Sequence, residues 1–470
     1  MAGTERVDSV NEQLDGPLSG IRVIELGTGI AAPVAARMLA EFGADVIRVE
    51  SVRKPDSLRS AAAGWVPPEY DPGIRQDTMA AQNFASAGKR SIALEIDTSA
   101  GYEVLAKLVA ASDIFITNLA ADVLPRLRLA YEDICSIRSD IVYLSLTAFG
   151  DDGPYRSYRT WGQNLSAISG IDQMIGWPDR DAVQVGFAYP DYVSAQMGAV
   201  GLLAALDRRD RTGLGCHIEL PQYLMALACI QPAIVEVGLR GTGPVHDGNR
   251  RVGRAPRGIY PSRGSDRWVA ISINDDAMWN SLGNAEGLEA LAADTRFATL
   301  EGREAHHDEL DDHLSAWTAS RTDWDGAGEL QQAGVAATPV LDCWDLLVDP
   351  QLAARTFFRV LPSARFGAEL AFGSAVVMPE TPIVLSRAAP AMGEHTREIL
   401  AEVAALDPDD IERLIDAAVV APMHRPEVRL ERPYLHWIDK MMRLPWPDAS
   451  FDPARLFMER LPPPDEKTRP

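Results

Sequence analysis

Asp191 stands at the mouth of a long helix rich in small residues, within the stretch Phe187 to Gln222 (FAYPDYVSAQMGAVGLLAALDRRDRTGLGCHIELPQ), which a basic turn closes and a strand follows. An Asp in that place can simply cap two or three free backbone N–H groups and gain from the helix dipole. Its company argues for more. Tyr189 and Tyr192 flank it, and Ala195, Gly198, Ala199, Gly201, Ala204 and Ala205 would let another backbone or a thin ligand approach the helix closely. A second candidate opens the chain. Gly27-Thr28-Gly29-Ile30-Ala31-Ala32 has the form GxGxxA between a strand and a helix, and Glu50 lies 21 residues beyond Gly29, where a ribose-binding acid would sit. Alone, this turn predicts a nicotinamide-dependent dehydrogenase. No evident pair for hydride transfer accompanies it, since the first histidine, His217, falls in a strand. The third feature is a run of cations at element ends, Arg53, Lys54, Arg59, Lys89, Arg90, Arg126, Arg128, Arg156 and Arg159, a basic mouth that would suit one polyanionic small molecule.

The elements that must position these residues follow from periodicity. Ile21–Leu26 and Ala44–Glu50 read as buried strands around a helix from Ala32 to Phe42. A Pro-containing loop from Val52 to Pro72 comes next, then strand Ser91–Glu95, a helix over Ala100–Ala111, and strands Asp113–Thr117 and Ile141–Thr147 before the helix from Asp191. Short apolar runs alternating with helices predict a doubly wound parallel α/β sheet over the first 220 residues. With 470 residues, 46% of them apolar, the chain can fill two cores. Its net charge of −22 excludes general nucleic-acid binding. Cys135, Cys216, Cys229 and Cys343 show no CxxC pairing, which argues against a zinc site or a disulfide framework and predicts a reducing cytoplasm. No apolar run has the length of a membrane span or a signal peptide.

Several separate segments, from about residue 19 to 420, resemble the family III CoA-transferases, the group of formyl-CoA transferase and crotonobetainyl-CoA:carnitine CoA-transferase. They are Gly43–Glu50 (GADVIRVE), Lys89–Glu95 (KRSIALE), Thr117-Asn118-Leu119 with Val123–Leu127 (VLPRL), Ala148–Tyr155 (AFGDDGPY), and the Asp191 region. Gly248-Asn249-Arg250, Ala255–Pro261 (APRGIYP), Trp268–Ile271, Gly334–Val340 and Gly393–Thr396 continue the match. The resemblance implies that Asp191 attacks an acyl-CoA thioester and carries covalent intermediates, that the first turn serves CoA and not a dinucleotide, and that CoA contacts come from Gly29, Ile30, Arg59, Leu94, Asn118, Arg126 and Arg159. CoA thioesters are then substrates, with no bound cofactor and no metal. His395 reads as a structural or capping histidine.

The same resemblance implies a large domain from residues 1–225 and 335–421, a smaller α+β domain with linkers over 226–334, an extension over 422–470, and an interlocked homodimer. Within the extension, Tyr434–Leu444 is amphipathic and Pro445–Pro470 proline-rich. Departures from the pattern carry information. Pro190 replaces the glycine often found before the Asp, removing an N–H that could serve an oxyanion. The bulky loop Asn249–Arg254 replaces a glycine-rich cover, and offers a lid whose Arg could pair an acceptor carboxylate. The α-methylacyl-CoA racemases of the family need a His within the segment matching Thr160–Asn164; this chain has Trp161-Gly162-Gln163 and no His there, which makes racemisation the weaker alternative. The glutamate that assists in formyl-CoA transferase is missing from the same stretch, which leaves Gln163 as a neutral hydrogen-bonding substitute. Racemisation or another α-proton chemistry on an acyl-CoA, and a catalytically silent CoA-binding protein, are the alternatives to transfer. Trp161, Trp177, Tyr189 and Tyr192 would line the site with aromatic surface if they converge, and would otherwise be core.

Overall fold

The computed structural model describes residues 16–59, 80–243, 246–363, 367–381, 383 and 385–423. The loop expected from Val52 to Pro72 is described only as far as Arg59, and the stretches 434–444 and 445–470 lie outside the described residues. The described chain divides into two compact units, one of residues 16–170, 185–231 and 351–423, the other of 171–184, 232–243 and 246–350.

In the first unit the apolar runs become parallel strands β1 (Arg22–Leu26), β2 (Asp45–Glu50), β3 (Arg90–Leu94), β4 (Ile114–Thr117), β5 (Val142–Ser145) and β6 (Cys216–Glu219). They lie in the order β3-β2-β1-β4-β5-β6, and a short strand, Val420–Ala421, adds antiparallel to β3. The unit's helices include α1 (Ala31–Glu41), α2 (Ala80–Ser86), α3 (Ser99–Ala110), α4 (Tyr131–Ile137), α5 (Gly162–Ile168), α6 (Tyr189–Thr212) and α7 (Gln222–Cys229), with two more at Thr396–Glu402 and Pro408–Asp416. This is a doubly wound sheet whose strand order reverses between β1 and β4, and the crevice beyond the carboxyl ends of those strands is where such sheets bind ligands.

Both faces of the sheet are covered. On one, Ile24, Ile47, Phe115 and Tyr143 pack with Leu105 and Leu108 of α3 and with Ile399 and Leu400 near the end of the chain, so the large unit is built from both chain ends. On the other, Ala31, Ala32, Ala35 and Leu39 of α1 meet Ala195, Leu202 and Ala205 of α6 together with Val23, Ile116 and Leu144. Small side chains at that seam let the two helices come close, which brings their N-termini to one place.

Most sequence-based boundaries lie within one or two residues of the observed ones, as helix and strand ends allow. One difference matters: α6 starts at Tyr189 with Ala188 as its N-cap, because proline is tolerated in a first helical turn. Asp191 is therefore the third residue of the helix and not its N-cap.

The second unit holds a three-stranded antiparallel sheet, β7 (Arg257–Pro261), β8 (Trp268–Ser272) and β9 (Ala336–Pro339), in the order β7-β8-β9. Helices bury Trp279, Phe297, Leu310, Leu314 and Leu330 against it, an α+β arrangement. Its loop Asn249–Arg254 is drawn inward by Arg250, which bonds Asp308 and Asp311 at 2.5 Å each, and by the Gly253 N–H, which donates to Glu304 at 2.7 Å.

Candidate active site

The Asp191 carboxylate is buried, and its Oδ2 has no hydrogen-bond partner among the described residues. Burial pushes its pKa up to about 6; the N–H groups of Asp191 itself and of Ala31, the first residue of α1, oppose that rise. No cation contributes to the shift, so the carboxylate is unpaired by charge yet largely ionised at neutral pH. Neighbouring Tyr192 is in turn pushed up by burial and by Asp191. Gly162, first residue of α5, closes on the free oxygen: a Cβ there would fall 2.1 Å from Oδ2. Three helix starts thus converge on one acid, and a buried carboxylate with no cation and one oxygen unbonded costs stability, which marks it as a candidate functional group.

The turn after β1 is braced from two sides. Asn118, just beyond β4, donates to the Thr28 carbonyl at 2.7 Å and accepts from the Thr28 N–H at 2.9 Å, so it straddles the point where the strand order reverses. Gly29 takes a φ of +66°, which suits glycine, and its N–H donates to both oxygens of Asp56 at 3.0 and 3.1 Å. Below the turn lies a buried layer of charge. Glu25, Arg48 and Ser91 face one another across β1, β2 and β3. Arg48 pairs with Asp56 at 2.6 Å, Glu50 at 3.2 Å and Glu25 at 3.5 Å; Lys89 pairs with Glu25 at 3.1 Å and donates to the Pro33 carbonyl at 2.7 Å.

That layer settles the dinucleotide reading. Glu50, in the ribose-binding position, is forked by Arg59 at 2.6 and 2.8 Å and receives the Ser91 hydroxyl at 2.7 Å. Burial raises its pKa, but Arg59 and Arg48 outweigh burial and hold it down at about 2. It has no lone pair to offer a ribose.

The residues expected at a CoA site are only partly brought together. Gly29, Ile30 and Asn118 share the crevice with Ala31 and Asp191, and Ile30 packs its side chain against the α1–α6 core. Leu94 is buried in the sheet core. Arg59 is fully buried and bound to Glu50 and the Pro390 carbonyl, which supports the turn and does not present a fork to a phosphate. Arg126 is exposed and pairs with Asp122 at 3.3 Å, whereas Arg159 is exposed and makes no ion pair with a described residue. Gln163 is exposed and follows Gly162 directly on α5. The wider basic mouth is mostly neutralised: Arg53 and Lys54 pair with Asp97, and Arg90 with Asp45, Glu398 and Glu402. Arg128 instead lies over the Tyr102 ring at 3.5 Å.

Tyr192 and Tyr189 pack on Phe187, while Trp161 and Trp177 are exposed and belong to different units. Sequence reasoning missed Gly162, Asp56, Glu25 and Arg48. The last two left a signal, charges in the middle of otherwise apolar strands; Gly162 and Asp56 left none.

The doubly wound sheet carries a buried carboxylate without a cation near its switch point. The chain belongs to CoA-transferase family III, whose sequence profile matches residues 18–396, and it is an acyl-CoA:carboxylate CoA-transferase. It is 32% identical over 403 residues to succinyl-CoA–D-citramalate CoA-transferase of Chloroflexus aurantiacus, covering 85% of this chain and 96% of that one. It is 31% identical to succinate–glutarate CoA-transferase of Agrobacterium fabrum, covering 83% and 96%. Among solved structures, a CAIB/BAIF family protein from Brucella suis superposes with a TM-score of 0.74 at 29% identity, over 83% of this chain and all of that one. Among the described residues no single helix is long and apolar enough to cross a membrane, although Gln222–Cys229 and Gln231–Arg240 would pass that test only as a pair bent by 65°.

Proposed function

We propose that Asp191 is the nucleophile of this transferase and that CoA passes through a covalent aspartyl thioester. The observation that carries the reading is the Asp191 carboxylate itself, buried, raised to about 6, without a cation and with one oxygen unbonded. A carboxylate paired to a cation would be a poor nucleophile; this one is ionised at pH 7 and loses little when it forms a bond.

The carboxylate adds to the thioester carbonyl, the C–S bond breaks, and CoA leaves as thiolate from an acyl-aspartyl anhydride. The thiolate attacks Cγ of Asp191, releasing the donor as a carboxylate and leaving aspartyl-CoA. An acceptor carboxylate then displaces CoA thiolate from Cγ, and the thiolate attacks the acceptor's acyl carbon, so that acyl-CoA leaves and the Asp191 carboxylate is restored. The Ala31 N–H and the Asp191 N–H, which already face the carboxylate, are the donors placed to meet charge developing on it. The burial that lifts the pKa also keeps water from the anhydride and thioester. Gly29, Ile30 and Asn118 hold CoA in the crevice, with Arg159, which pairs with no described acid, to meet a phosphate.

Succinyl-CoA is the proposed donor and a dicarboxylate the proposed acceptor, on the strength of the relatives' substrates. We place the enzyme in the cytoplasm, in keeping with its four free thiols, and read it as a homodimer. Racemisation would need a second base facing Asp191, and Gly162, Ala188 and Ala31, the residues packed on its carboxylate, supply none.

Incubation with succinyl-CoA followed by borohydride tests the nucleophile. Reduction of residue 191 to the alcohol, absent in Asp191→Asn, is the expected result. An unmodified Asp191 under conditions of turnover would overturn the proposal.

A further inference from the structure

We infer that Gly162 is a positioning residue for the nucleophile: the space its side chain would fill is the resting place of Asp191 Oδ2. The inference rests on the reading of Asp191 given above. A Cβ on Gly162 would lie 2.1 Å from Oδ2, 2.6 Å from Ala188 Cβ and 3.0 Å from Ala188 Cα. Nothing else at this position asks for glycine. Its φ is not among the positive ones, and a first helical residue gains nothing in propensity from being glycine. Backbone and propensity would both accept a side chain, and only the carboxylate and Ala188 refuse it.

The chemical consequence concerns the free oxygen. A serine or asparagine at 162 would offer Oδ2 a donor, and an alanine would push the carboxylate out of its niche. Glycine does neither. It leaves Oδ2 buried with its lone pairs undirected by any described donor. Displacement of a nucleophile by about 1 Å costs about 100-fold in rate.

The test compares the wild-type enzyme, Gly162→Ala, and Gly162→Ala combined with Ala188→Gly. The rate at which succinyl-CoA forms the borohydride-trapped adduct is followed against pH, with CoA affinity and unfolding measured alongside. The Asp191 carboxyl carbon is titrated by 13C NMR, assigned by its loss in Asp191→Asn. We expect Gly162→Ala to bind CoA as before, to form the adduct about 100-fold more slowly, and to titrate below the wild-type value of about 6. The Ala188→Gly change removes the second clash only and should not restore the rate.

A variant that labels at the wild-type rate with an unmoved titration overturns the inference, as does full restoration by Ala188→Gly. If Gly162→Ala folds poorly, its stability loss is compared in wild-type and Asp191→Ala backgrounds. A loss that shrinks when the carboxylate is absent supports the clash with Oδ2, and an equal loss in both refutes it. Should wild-type enzyme form no adduct, the nucleophile reading fails, while the 13C titration still decides whether Gly162 sets the carboxylate's place.

Discussion

At Asp191 the same burial serves reactivity and opposes stability, and the two can be separated by pH. An ordinary aspartate titrates near 3.9, whereas Asp191 sits at about 6. An acid whose pKa rises on folding holds its proton more tightly in the folded state, so stability is gained as pH falls from about 6 to about 4 and the full cost of the buried charge is present above pH 6. A difference of two units corresponds to roughly 3 kcal/mol. Asp191→Asn should therefore unfold later than the wild type at pH 8, by on the order of 1–3 kcal/mol, with the advantage gone near pH 4. Urea melts at the two pH values read this directly; equal stability at both would show that the carboxylate is not desolvated. Catalysis runs the other way. The nucleophile must be ionised, so the rate of adduct formation should fall as pH drops through about 6, with a single proton on the acid limb. A limb near the ordinary carboxylate range would contradict the burial seen here.

Between the residue and the fold stand two supports, the Asn118 bridge and the buried charge layer under β1–β3, and they should fail differently. Asn118→Ala deletes two hydrogen bonds to Thr28, each worth about 1 kcal/mol, at the place where the turn after β1 meets β4. The KM for acyl-CoA is expected to rise by about tenfold with kcat changed much less, since the turn is loosened while Asp191 on α6 is untouched; a kcat loss at unchanged KM would refute that division. Glu25→Ala instead strands Lys89 in the interior, while Arg48 keeps Asp56 and Glu50; breaking a buried pair costs about 3–5 kcal/mol, and chemical denaturation is the measurement. The contrast also shows what the chain announces and what it hides. The alternation of apolar strands and helices made the doubly wound sheet readable, and Asp191 could be singled out because its helix, its small-residue face and the family motifs are all local. Arg59 was misleading for a physical reason: a basic residue in a loop looks available to phosphate, yet its partner Glu50 lies in a different element. Gly162 was silent because its meaning is a distance to a side chain nearly thirty positions away. Alternation of burial along a strand is local; pairing across strands and close approach between helices are not.

For the whole molecule, the homodimer expected from the family resemblance needs a surface, and α6 carries one. Its inner face meets α1, while Met197, Val200 and Leu203, three apart, are 44%, 60% and 38% exposed on the outer one. Leu224 on α7 is 56% exposed as well. Apolar side chains repeated along one exposed helix face mark an interaction site more often than a solvated surface. A second copy of this chain is the occupant consistent with the homodimer proposed above. Association must overcome repulsion between two chains that each carry a net charge of −22, so salt should strengthen the dimer and low ionic strength should weaken it. Light scattering on a size-exclusion column is expected to give twice the chain mass at physiological salt. Val200→Glu adds a charge at the middle of the apolar face, far along α6 from Asp191, and should yield a folded monomer with an unchanged circular dichroism spectrum. A wild-type chain that is monomeric at every ionic strength would refute the dimer. A Val200→Glu variant that remains dimeric would move the interface off this face while leaving the chemistry at Asp191 as described.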